Sequence, residues 1–366
     1  MKVLHIITRM NTGGPAVFLD HLTKSMADLG TESIIAYGYC ESNETDYTDT
    51  HKLNADLIRV QSLHRSLSPI SDIRSFFQLR KIIKTRKPDL VNTHTSKAGV
   101  LARLATKSVN RRTPVVHTFH GHLIYGYFPK YKIFILTLVE KNLARFTNAF
   151  ACITQETQDS LKNLGIGPKL TWRVIRLGIP VYSKPLLSEK YSEKTTLLWV
   201  GRFTAVKDPE YAISVIKELE FNAPGQFELV MIGGGEQLEI CKSLSNNLPV
   251  KFRGWVNNPF ENIENFDLLI LTSKNEGMGL VMLEAANLNR ATVAREVGGI
   301  GEFLTGGVNG CLINGDAKEM ARAISSLTYD QIQLMGNKAK EILEKDFNSV
   351  RLAADYHKLY ESLIVS

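Results

Sequence analysis

The apolar residues of this chain gather into short continuous runs that alternate with longer periodic stretches. In the first half, runs at 3–7, 33–37, 89–93, 114–120 and 149–153 have the length and composition of strands buried on both faces. Between them the apolar positions fit helices, as at Val17, Leu19, Leu22 and Met26. Strands that alternate with helices predict a mainly parallel α/β sheet.

The second half of the chain repeats this alternation. Runs at 197–200, 227–232, 250–256, 268–271, 292–297 and 311–313 predict a second parallel sheet. A polar stretch with two prolines, at 180–185, has no apolar period and indicates a linker. The tail over 329–364 is helical in pattern. We therefore predict α/β domains over 1–182 and 183–345, followed by a C-terminal helix over 346–366.

Length and composition agree with two domains in the cytoplasm. A chain of 366 residues is too long for one ordinary core, and its 44% hydrophobic and 22% charged content is that of a soluble protein. No apolar run approaches the roughly 20 residues that a membrane-spanning helix needs. The cysteines are Cys40, Cys152, Cys241 and Cys311, with no C-x-x-C pair. This spacing argues against a disulfide framework and a zinc site, and favours a reducing compartment.

Positive charge is concentrated in the first domain. Residues 1–182 hold 25 Lys and Arg against 13 Asp and Glu, although the whole chain carries only +7. This excess of basic residues suggests an anionic partner, namely a membrane surface, a lipid phosphate or nucleic acid. Solvated helix faces would explain the excess equally well. We expect no nucleic-acid binding, because no helix-turn-helix or RNA-binding signature accompanies the charge. The aromatic and basic segment 123–145 fits either a membrane interface or a core-facing helix.

Glycine-rich turns follow several of the predicted strands. Gly13 and Gly14 lie between the first strand and a helix, an arrangement typical of nucleotide-binding units, although the G-x-G-x-x-G fingerprint is absent. A tight turn explains this pair almost equally well. In the second domain, Gly201 and Arg202 end one strand and Gly233 begins the turn after the next. Arg202, and Lys207 after it, could bind phosphate through a planar fork and a point charge.

The stretch 268–285 holds two carboxylates beside a predicted helix start. A buried strand is followed by Glu276, Gly277, Met278, Gly279 and Leu280, and an apolar helix then carries Glu284. The N–H groups at a helix start suit phosphate or hydroxyl groups. Carboxylates in such a place are costly unless they accept hydrogen bonds from neutral hydroxyls, as a sugar and a ribose supply. The alternative interpretation is that Glu276 and Glu284 are ordinary solvated residues of the surface.

Histidines mark the ends of two strands in the first domain. His94 is followed by Lys97, and His117, His120 and His122 lie in or just after the run at 114–120. Ligands of open α/β sheets bind at the carboxyl ends of strands, so both segments are candidates for a site. The spacing matches no known metal-ligand pattern, so we predict no metal site. His117 and His122 are read as core or lip residues.

Taken together, these motifs resemble family four of the retaining glycosyltransferases. The resemblance is carried by the E-x7-E spacing of Glu276 and Glu284, by the loop between them, by 297–299 (Val-Gly-Gly) and by 200–209 around Arg202 and Lys207. It implies a GT-B fold, in which two Rossmann-like domains face each other across a cleft and the last helix crosses back to the first domain. One departure is Asn289 and Ala291, where the family commonly has Gly and Pro.

The resemblance also implies roles for individual residues. His120 would contact the transferred sugar, Arg202 and Lys207 would neutralise the diphosphate, Glu276 would hold the sugar hydroxyls and Glu284 the ribose. His94 and Lys97 would lie on the acceptor side. The remaining donor-binding candidates are glycines and their neighbours: Gly13, Gly14, Gly201, Gly233, Gly277, Met278, Gly279 and Leu280.

We therefore predict a retaining, metal-independent glycosyltransferase without a cofactor. It would move a hexose or N-acetylhexosamine from a nucleotide sugar, most simply a UDP-sugar, to a glycan or lipid-linked acceptor. It would work in the cytoplasm, on the inner face of the cell membrane if its basic half binds anionic lipid. A nucleotide-sugar epimerase on the same fold and a non-catalytic nucleotide-sugar or glycan-binding module are the alternatives.

Overall fold

The computed structural model describes residues 1–41, 44–121, 130–182, 194–256, 258–260 and 265–365. The described residues up to Pro180, together with those from Asn348 onward, form one compact unit. The described residues from Val181 to Phe347 form a second unit. None of the described helices has the length and apolarity that crossing a membrane would require.

The first unit contains a parallel sheet of seven strands among its described residues, in the order β3-β2-β1-β4-β5-β6-β7. These strands are β1 (Lys2–Arg9), β2 (Glu32–Gly38), β3 (Asp56–Arg59), β4 (Leu90–His94), β5 (Val115–Phe119), β6 (Ala149–Cys152) and β7 (Thr171–Val174). Residues of β1, β4 and β5 are almost entirely buried, which explains why these strands read as continuous apolar runs.

Helices connect these strands and cover the sheet. They are α1 (Gly14–Ala27), α2 (Pro69–Arg86), α3 (Ser96–Val109), α4 (Lys130–Leu143) and α5 (Gln155–Asn163), with 3₁₀ turns at Tyr47–Asp49 and Ala144–Phe146. The last helix of the chain, α11 (Ser349–Ile364), also belongs to this unit and packs against α1. Its buried Tyr356 and Tyr360 hydrogen-bond to Thr118 and Asn92 of the sheet, at 3.2 and 2.6 Å.

The second unit contains a parallel sheet of six strands in its described part, in the order β10-β9-β8-β11-β12-β13. Its strands are β8 (Thr195–Val200), β9 (Phe227–Ile232), β10 (Val250–Gly254), β11 (Leu268–Leu271), β12 (Ala291–Arg295) and β13 (Gly310–Ile313). Its helices are α6 (Pro209–Asn222), α7 (Leu238–Leu244), α8 (Leu280–Asn287), α9 (Ala317–Ser325) and α10 (Tyr329–Asp346), with a 3₁₀ turn at Gly298–Glu302. Both sheets are thus of the doubly wound, Rossmann-like kind that the sequence predicts.

Two strands of the first sheet were not predicted from the apolar pattern of the sequence. The strands β3 and β7 have only four residues each, lie at the two edges of the sheet and are partly exposed. They therefore lack the continuous apolar run that marks a central strand. The helical tail is also divided, because Asn348 caps a new helix by accepting a hydrogen bond from the Arg351 N–H at 2.8 Å.

The departure at Asn289 is accommodated in the backbone. Asn289 follows α8 with a φ of 57°, in the left-handed region where Asn is tolerated better than most residues. The N–H of Arg290 then donates to the carbonyl of Ala285 at 3.0 Å, which satisfies one of the last carbonyls of the helix.

Candidate functional site

Three histidines form a row that leads to the carboxyl edge of the first sheet. The strands β1, β4 and β5 are neighbours, so the buried His94 comes within hydrogen-bonding distance of the buried His5 on one side and the partly buried His120 on the other. His94 Nδ1 lies 2.9 Å from His120 Nε2, and His94 Nε2 lies 3.2 Å from His5 Nδ1. The sequence analysis identified His94 and His120 but missed His5, whose only signal is a histidine inside an apolar run.

Burial keeps this histidine chain neutral. It lowers the pKa of His5 to about 3 and that of His120 to about 4, and it lowers the pKa of His94 well below its usual range. The ring of Phe18 closes one side, with its centroid 4.8 Å from that of His120 in an edge-to-face arrangement. A neutral imidazole has one donor and one acceptor nitrogen, so the chain can offer hydrogen bonds to hydroxyl groups without adding charge.

The turn after β4 is strained. Thr95 separates His94 from α3 with a φ of 64° and a ψ of 155°, a conformation that is almost confined to glycine. Its hydroxyl lies 2.7 Å from that of Thr8 at the end of β1, which fixes the turn. Strain of this kind costs about 1–3 kcal/mol and gathers at functional sites, in agreement with a site beside His94.

Lys97 lies in the first turn of α3 and is tied to the start of α2. Its ammonium group forms an ion pair with Asp72 at 2.5 Å and donates to the carbonyl of Ser66 at 2.5 Å. Lys97 is therefore a structural partner of α2 as well as the predicted acceptor-side residue.

His117 lies close to this histidine chain but is held by the sheet. It is buried and lies 2.7 Å from the Thr93 hydroxyl, as a core histidine would. The other histidine of this region, His122, lies outside the described residues. In the described part of the chain, no three His, Cys, Asp or Glu side chains gather closely enough to hold a metal ion.

Gly13 and Gly14 lie at the N-terminus of α1, just past β1. Gly13 has an extended φ of 167°, and a Cβ on Gly14 would meet no atom within 4 Å. Neither glycine is thus required by the packing of the chain itself. Their lack of side chains leaves the helix start open, as close approach of a diphosphate would need.

In the second unit, glycines hold two loops backbone to backbone. Gly233, with a φ of 136°, lies so close to Gly201 that a Cβ would come within 1.9 Å of the Gly201 carbonyl oxygen. Gly235 approaches Phe203 in the same manner, and the Phe203 N–H donates to the Gly234 carbonyl at 2.9 Å. This packing fixes the backbone at Arg202, whose side chain is exposed.

Lys207 and Glu276 form an ion pair beside these loops. Glu276 Oε1 also accepts a hydrogen bond from the Ser273 hydroxyl at 2.7 Å. Lys207 retains 29% of its side-chain exposure and Glu276 only 10%, so the ammonium group is the more accessible member of the pair. A ligand could therefore reach the cation while the carboxylate is held from beneath.

Residues that the sequence analysis missed position Lys207. The hydroxyl of the buried Thr272 lies 3.0 and 2.9 Å from the carbonyls of Lys207 and Asp208, and it accepts from Trp199 Nε1 at 2.9 Å. Asp208 has a φ of 50° and pairs with Arg295 at 3.0 Å. These contacts join the loop after β8 to the loop after β11, so Lys207 is brought to Glu276 by the tertiary fold.

The loop over 276–280 leads into α8. Gly279 caps the helix with a φ of 73°, Met278 is buried, and Gly277 and Leu280 are partly exposed. Beneath this loop, Gly298 has a φ of 56° and lies where a Cβ would come within 1.9 Å of the Glu276 carbonyl oxygen. The later double glycine therefore fixes the backbone that presents Glu276.

Glu284 lies in the second turn of α8. Burial raises the pKa of its carboxyl group to about 7. A carboxyl group desolvated to this degree gains from hydroxyl donors, such as the two of a ribose, that would stabilise its ionised form.

Two family models match this chain. The model described as Glycosyltransferase Family 4 matches residues 12–181, and the model described as Glycosyl transferases group 1 matches residues 194–330. Together they cover most of the chain, one model in each unit.

Two relatives of this chain are named as glycosyltransferases. The chain is 27% identical over 344 residues to an Escherichia coli protein named UDP-Gal:alpha-D-GlcNAc-diphosphoundecaprenol alpha-1,3-galactosyltransferase, covering 88% of this chain and 87% of that protein. It is 23% identical to a Campylobacter jejuni protein named N,N'-diacetylbacillosaminyl-diphospho-undecaprenol alpha-1,3-N-acetylgalactosaminyltransferase, covering 88% of this chain and 90% of that one.

Solved structures share the fold. HepE of Anabaena, in complex with UDP and glucose, superposes with a TM-score of 0.82 at 18% identity, covering 99% of this chain and 100% of that one. Sucrose-phosphate synthase from Thermosynechococcus elongatus gives a TM-score of 0.78, also at 18% identity, with both chains fully covered. At such identities the likeness establishes the fold alone, and that fold is the one that the sequence predicts.

Proposed function

Because this chain belongs to glycosyltransferase family four and has the GT-B fold, we propose that it transfers a hexose or N-acetylhexosamine from a UDP-sugar to a lipid-linked glycan, with retention of configuration. The bond between the anomeric carbon and the terminal diphosphate oxygen breaks. A bond from that carbon to an acceptor hydroxyl oxygen forms on the same face. The acceptor proton passes to an oxygen of the leaving phosphate, so that UDP departs.

The observation that supports this most strongly is the cationic site of the second unit. Lys207, held by Glu276 and by the backbone contacts of Thr272, and the exposed Arg202 lie on loops that glycines fix in place. The negative charge of a departing diphosphate is best stabilised by such preorganised cations and N–H groups. We assign this role to Arg202 and Lys207, with the backbone at Gly201 and Gly233 approaching the phosphates. Gly13 and Gly14 are the donor-binding candidates of the first unit.

The other candidate residues bind neutral groups in this proposal. Glu276 accepts hydrogen bonds from the sugar hydroxyls, and Glu284 accepts them from the ribose. The loop of Gly277, Met278, Gly279 and Leu280 lines the donor. His120, a neutral member of the histidine chain, contacts the transferred sugar, while His94 and Lys97 lie on the acceptor side.

We propose that the reaction needs neither a metal ion nor a cofactor. The cationic side chains supply the charge that a divalent ion would otherwise supply, and the described residues offer no cluster suited to such an ion. Turnover should therefore be undiminished in excess EDTA. Loss of turnover in EDTA that Mg²⁺ or Mn²⁺ restores would contradict this part of the proposal.

A lipid-linked acceptor is supported by the relatives whose names specify diphosphoundecaprenol-linked glycans. An enzyme that uses such an acceptor must reach it at a membrane surface. The excess of basic residues over 1–182 would attract anionic lipid, about 1 kcal/mol for each Lys or Arg near the surface. We therefore place the protein in the cytoplasm, bound peripherally to the inner face of the membrane.

The test is a transfer assay with the full chain, a panel of UDP-sugars and a short-chain polyprenyl-diphosphate glycan as acceptor. We expect UDP release that depends on the acceptor, and an α-linked product from an α-linked donor, which is what retention means. A β-linked product would refute retention. A new sugar nucleotide formed without acceptor would show the epimerase instead, and donor binding without any turnover would show a binding module.

A further inference from the structure

Two helices of the first unit expose apolar faces beside the predicted acceptor-side residues. On and just before α2, Leu67, Ile70, Ile73 and Phe77 are 86, 67, 59 and 56% exposed. On α4, Tyr131, Phe134, Ile135 and Leu138 are 62, 65, 54 and 43% exposed. The α4 residues follow the i, i+3, i+4, i+7 spacing of one helix face, a pattern that normally points to the core.

Both faces lie on the same side of the first sheet. The chain passes from β3 to β4, from β4 to β5 and from β5 to β6 in one direction across the sheet. Right-handed crossovers therefore place α2, α3 and α4 in one layer. The helices of this layer are joined, since α2 packs on α3 and the buried Arg103 of α3 forms a bidentate ion pair with Glu140 of α4 at 2.8 Å.

Most of the exposed apolar residues lie near the carboxyl edge of the sheet, where His94 and His120 are found. In a parallel sheet each connecting helix runs back from the carboxyl edge, so residues just before a helix or in its first half lie towards that edge. All of these exposed residues do so except Leu138, which is in the second half of α4. Lys97 connects the start of α2 directly to the predicted acceptor side. It contacts both Asp72 in the first turn of α2 and Ser66 just before that helix, each at 2.5 Å.

The charge around these faces is positive. Arg65, Arg74, Lys130 and Lys132 are exposed. The two acidic residues of α2 and α4, Asp72 and Glu140, are already paired with Lys97 and Arg103. Exposed aromatic and aliphatic side chains flanked by exposed cations fit the boundary between the headgroups and acyl chains of an anionic bilayer.

We propose that this docking face, made of Leu67, Ile70, Ile73 and Phe77 with Tyr131, Phe134, Ile135 and Leu138, inserts shallowly into an anionic membrane. This proposal rests on the proposed function, for which it supplies the surface that brings Lys97 and His94 to a lipid-linked acceptor. It differs from docking by charge alone. The basic cluster Arg80, Lys81, Lys84, Arg86 and Lys87 lies in or just after the second half of α2, towards the opposite edge of the sheet.

The experiment measures binding of the full chain to vesicles of phosphatidylglycerol and phosphatidylethanolamine, with phosphatidylcholine vesicles for comparison. We expect the triple variant Ile70→Ser, Ile73→Ser, Phe77→Ser to lower the partition coefficient at least tenfold. Phe134→Ser with Ile135→Ser should act in the same direction. The matched control is Phe221→Ser with Leu334→Ser, which removes side chains 82 and 70% exposed in the second unit and should change nothing.

Each other outcome overturns the proposal. Wild-type protein that ignores the anionic vesicles, or control variants that lose binding equally, would refute the docking face. Loss of binding on neutralising the basic cluster, with the apolar variants unaffected, would show attraction without insertion. A wild-type dimer that the apolar variants convert to monomer would show that a second copy covers this face.

A water-soluble acceptor separates this proposal from the proposed function. Because these side chains are not among the predicted donor-binding or catalytic residues, the apolar variants should keep wild-type turnover with the short-chain acceptor and lose it only with the acceptor embedded in vesicles. If the wild type turns over no acceptor of either kind yet binds the vesicles through this face, the proposed function fails while the docking face stands.

Discussion

The carboxyl edges of the two sheets are built on opposite electrostatic principles. In the first unit the histidines of the candidate site, His5, His94 and His120, are neutral and joined to one another in a mostly buried chain. In the second unit they are charged and partly exposed, as in the ion pair of Lys207 and Glu276. A neutral edge suits hydroxyl groups, whereas a cationic edge suits a departing diphosphate.

The glycines differ in the same way. Gly233 and Gly298 are fixed by backbone that approaches them closely and by positive φ, so the chain itself requires them. Gly13 and Gly14 meet no such demand. The packing of the chain thus requires Gly233 and Gly298, whereas Gly13 and Gly14 leave open space, and substitution can tell these two uses apart.

The largest effect is expected at the cationic edge. Replacing Lys207 with Met keeps the length of the side chain but removes its charge, and should lower kcat about 100-fold or more, as does loss of one preorganised donor. Arg202→Met should act similarly. The matched control is Lys242→Met, which breaks only a surface pair with Glu239. Near-normal kcat in folded Lys207→Met protein would remove the basis for the diphosphate assignment.

A smaller effect should separate the two kinds of glycine. Gly298→Ala places a methyl group against the Glu276 carbonyl at positive φ, so the free energy of unfolding of the second unit should fall by more than about 1 kcal/mol. Gly14→Ala should leave the unfolding of the first unit unchanged and raise KM for the donor. Denaturant melts and steady-state kinetics on both variants test this. Equal loss of stability in both would show that the contrast is wrong.

The smallest effect is a pair of opposite pH dependences. His5 and His120 have pKa values of about 3 and 4 in the folded chain against 6.5 in the unfolded chain. The unfolded state binds more protons between these values, so the first unit should lose stability as pH falls below 6.5. Glu284 has a pKa of about 7 against 4.5, so its contribution to stability should fall as pH rises from 4.5 to 7.

Each group contributes at most about 1.4 kcal/mol per pH unit. Hydrogen exchange of peptides from each unit between pH 4 and 7 should therefore show opposite slopes. His5→Phe should flatten the slope of the first unit and Glu284→Gln that of the second. Slopes of the same sign in the wild type would mean that burial does not set these pKa values.

The sequence by itself determined the architecture and the motif residues. Central strands buried on both faces leave continuous apolar runs, so β1, β4, β5, β8, β9 and β11 could be predicted within a residue or two. Glycine and histidine after such runs marked the carboxyl edges, where His94, His120, Arg202, Lys207, Glu276 and Glu284 indeed lie. The short, half-exposed edge strands β3 and β7 lacked that signal.

Only the tertiary structure decided which of these residues touch. His5 contacts His94, 89 residues later in the sequence, because the strands β1 and β4 are neighbours in the sheet. Lys207 reaches Glu276 because the Thr272 hydroxyl bonds to the carbonyls of Lys207 and Asp208, which are 65 and 64 residues away in the sequence. The sequence also could not decide that the apolar face of α4 is exposed, because its periodicity is equally that of a helix facing the core. Periodicity reports the shape of each element, but pairing and exposure depend on what the rest of the chain places beside it.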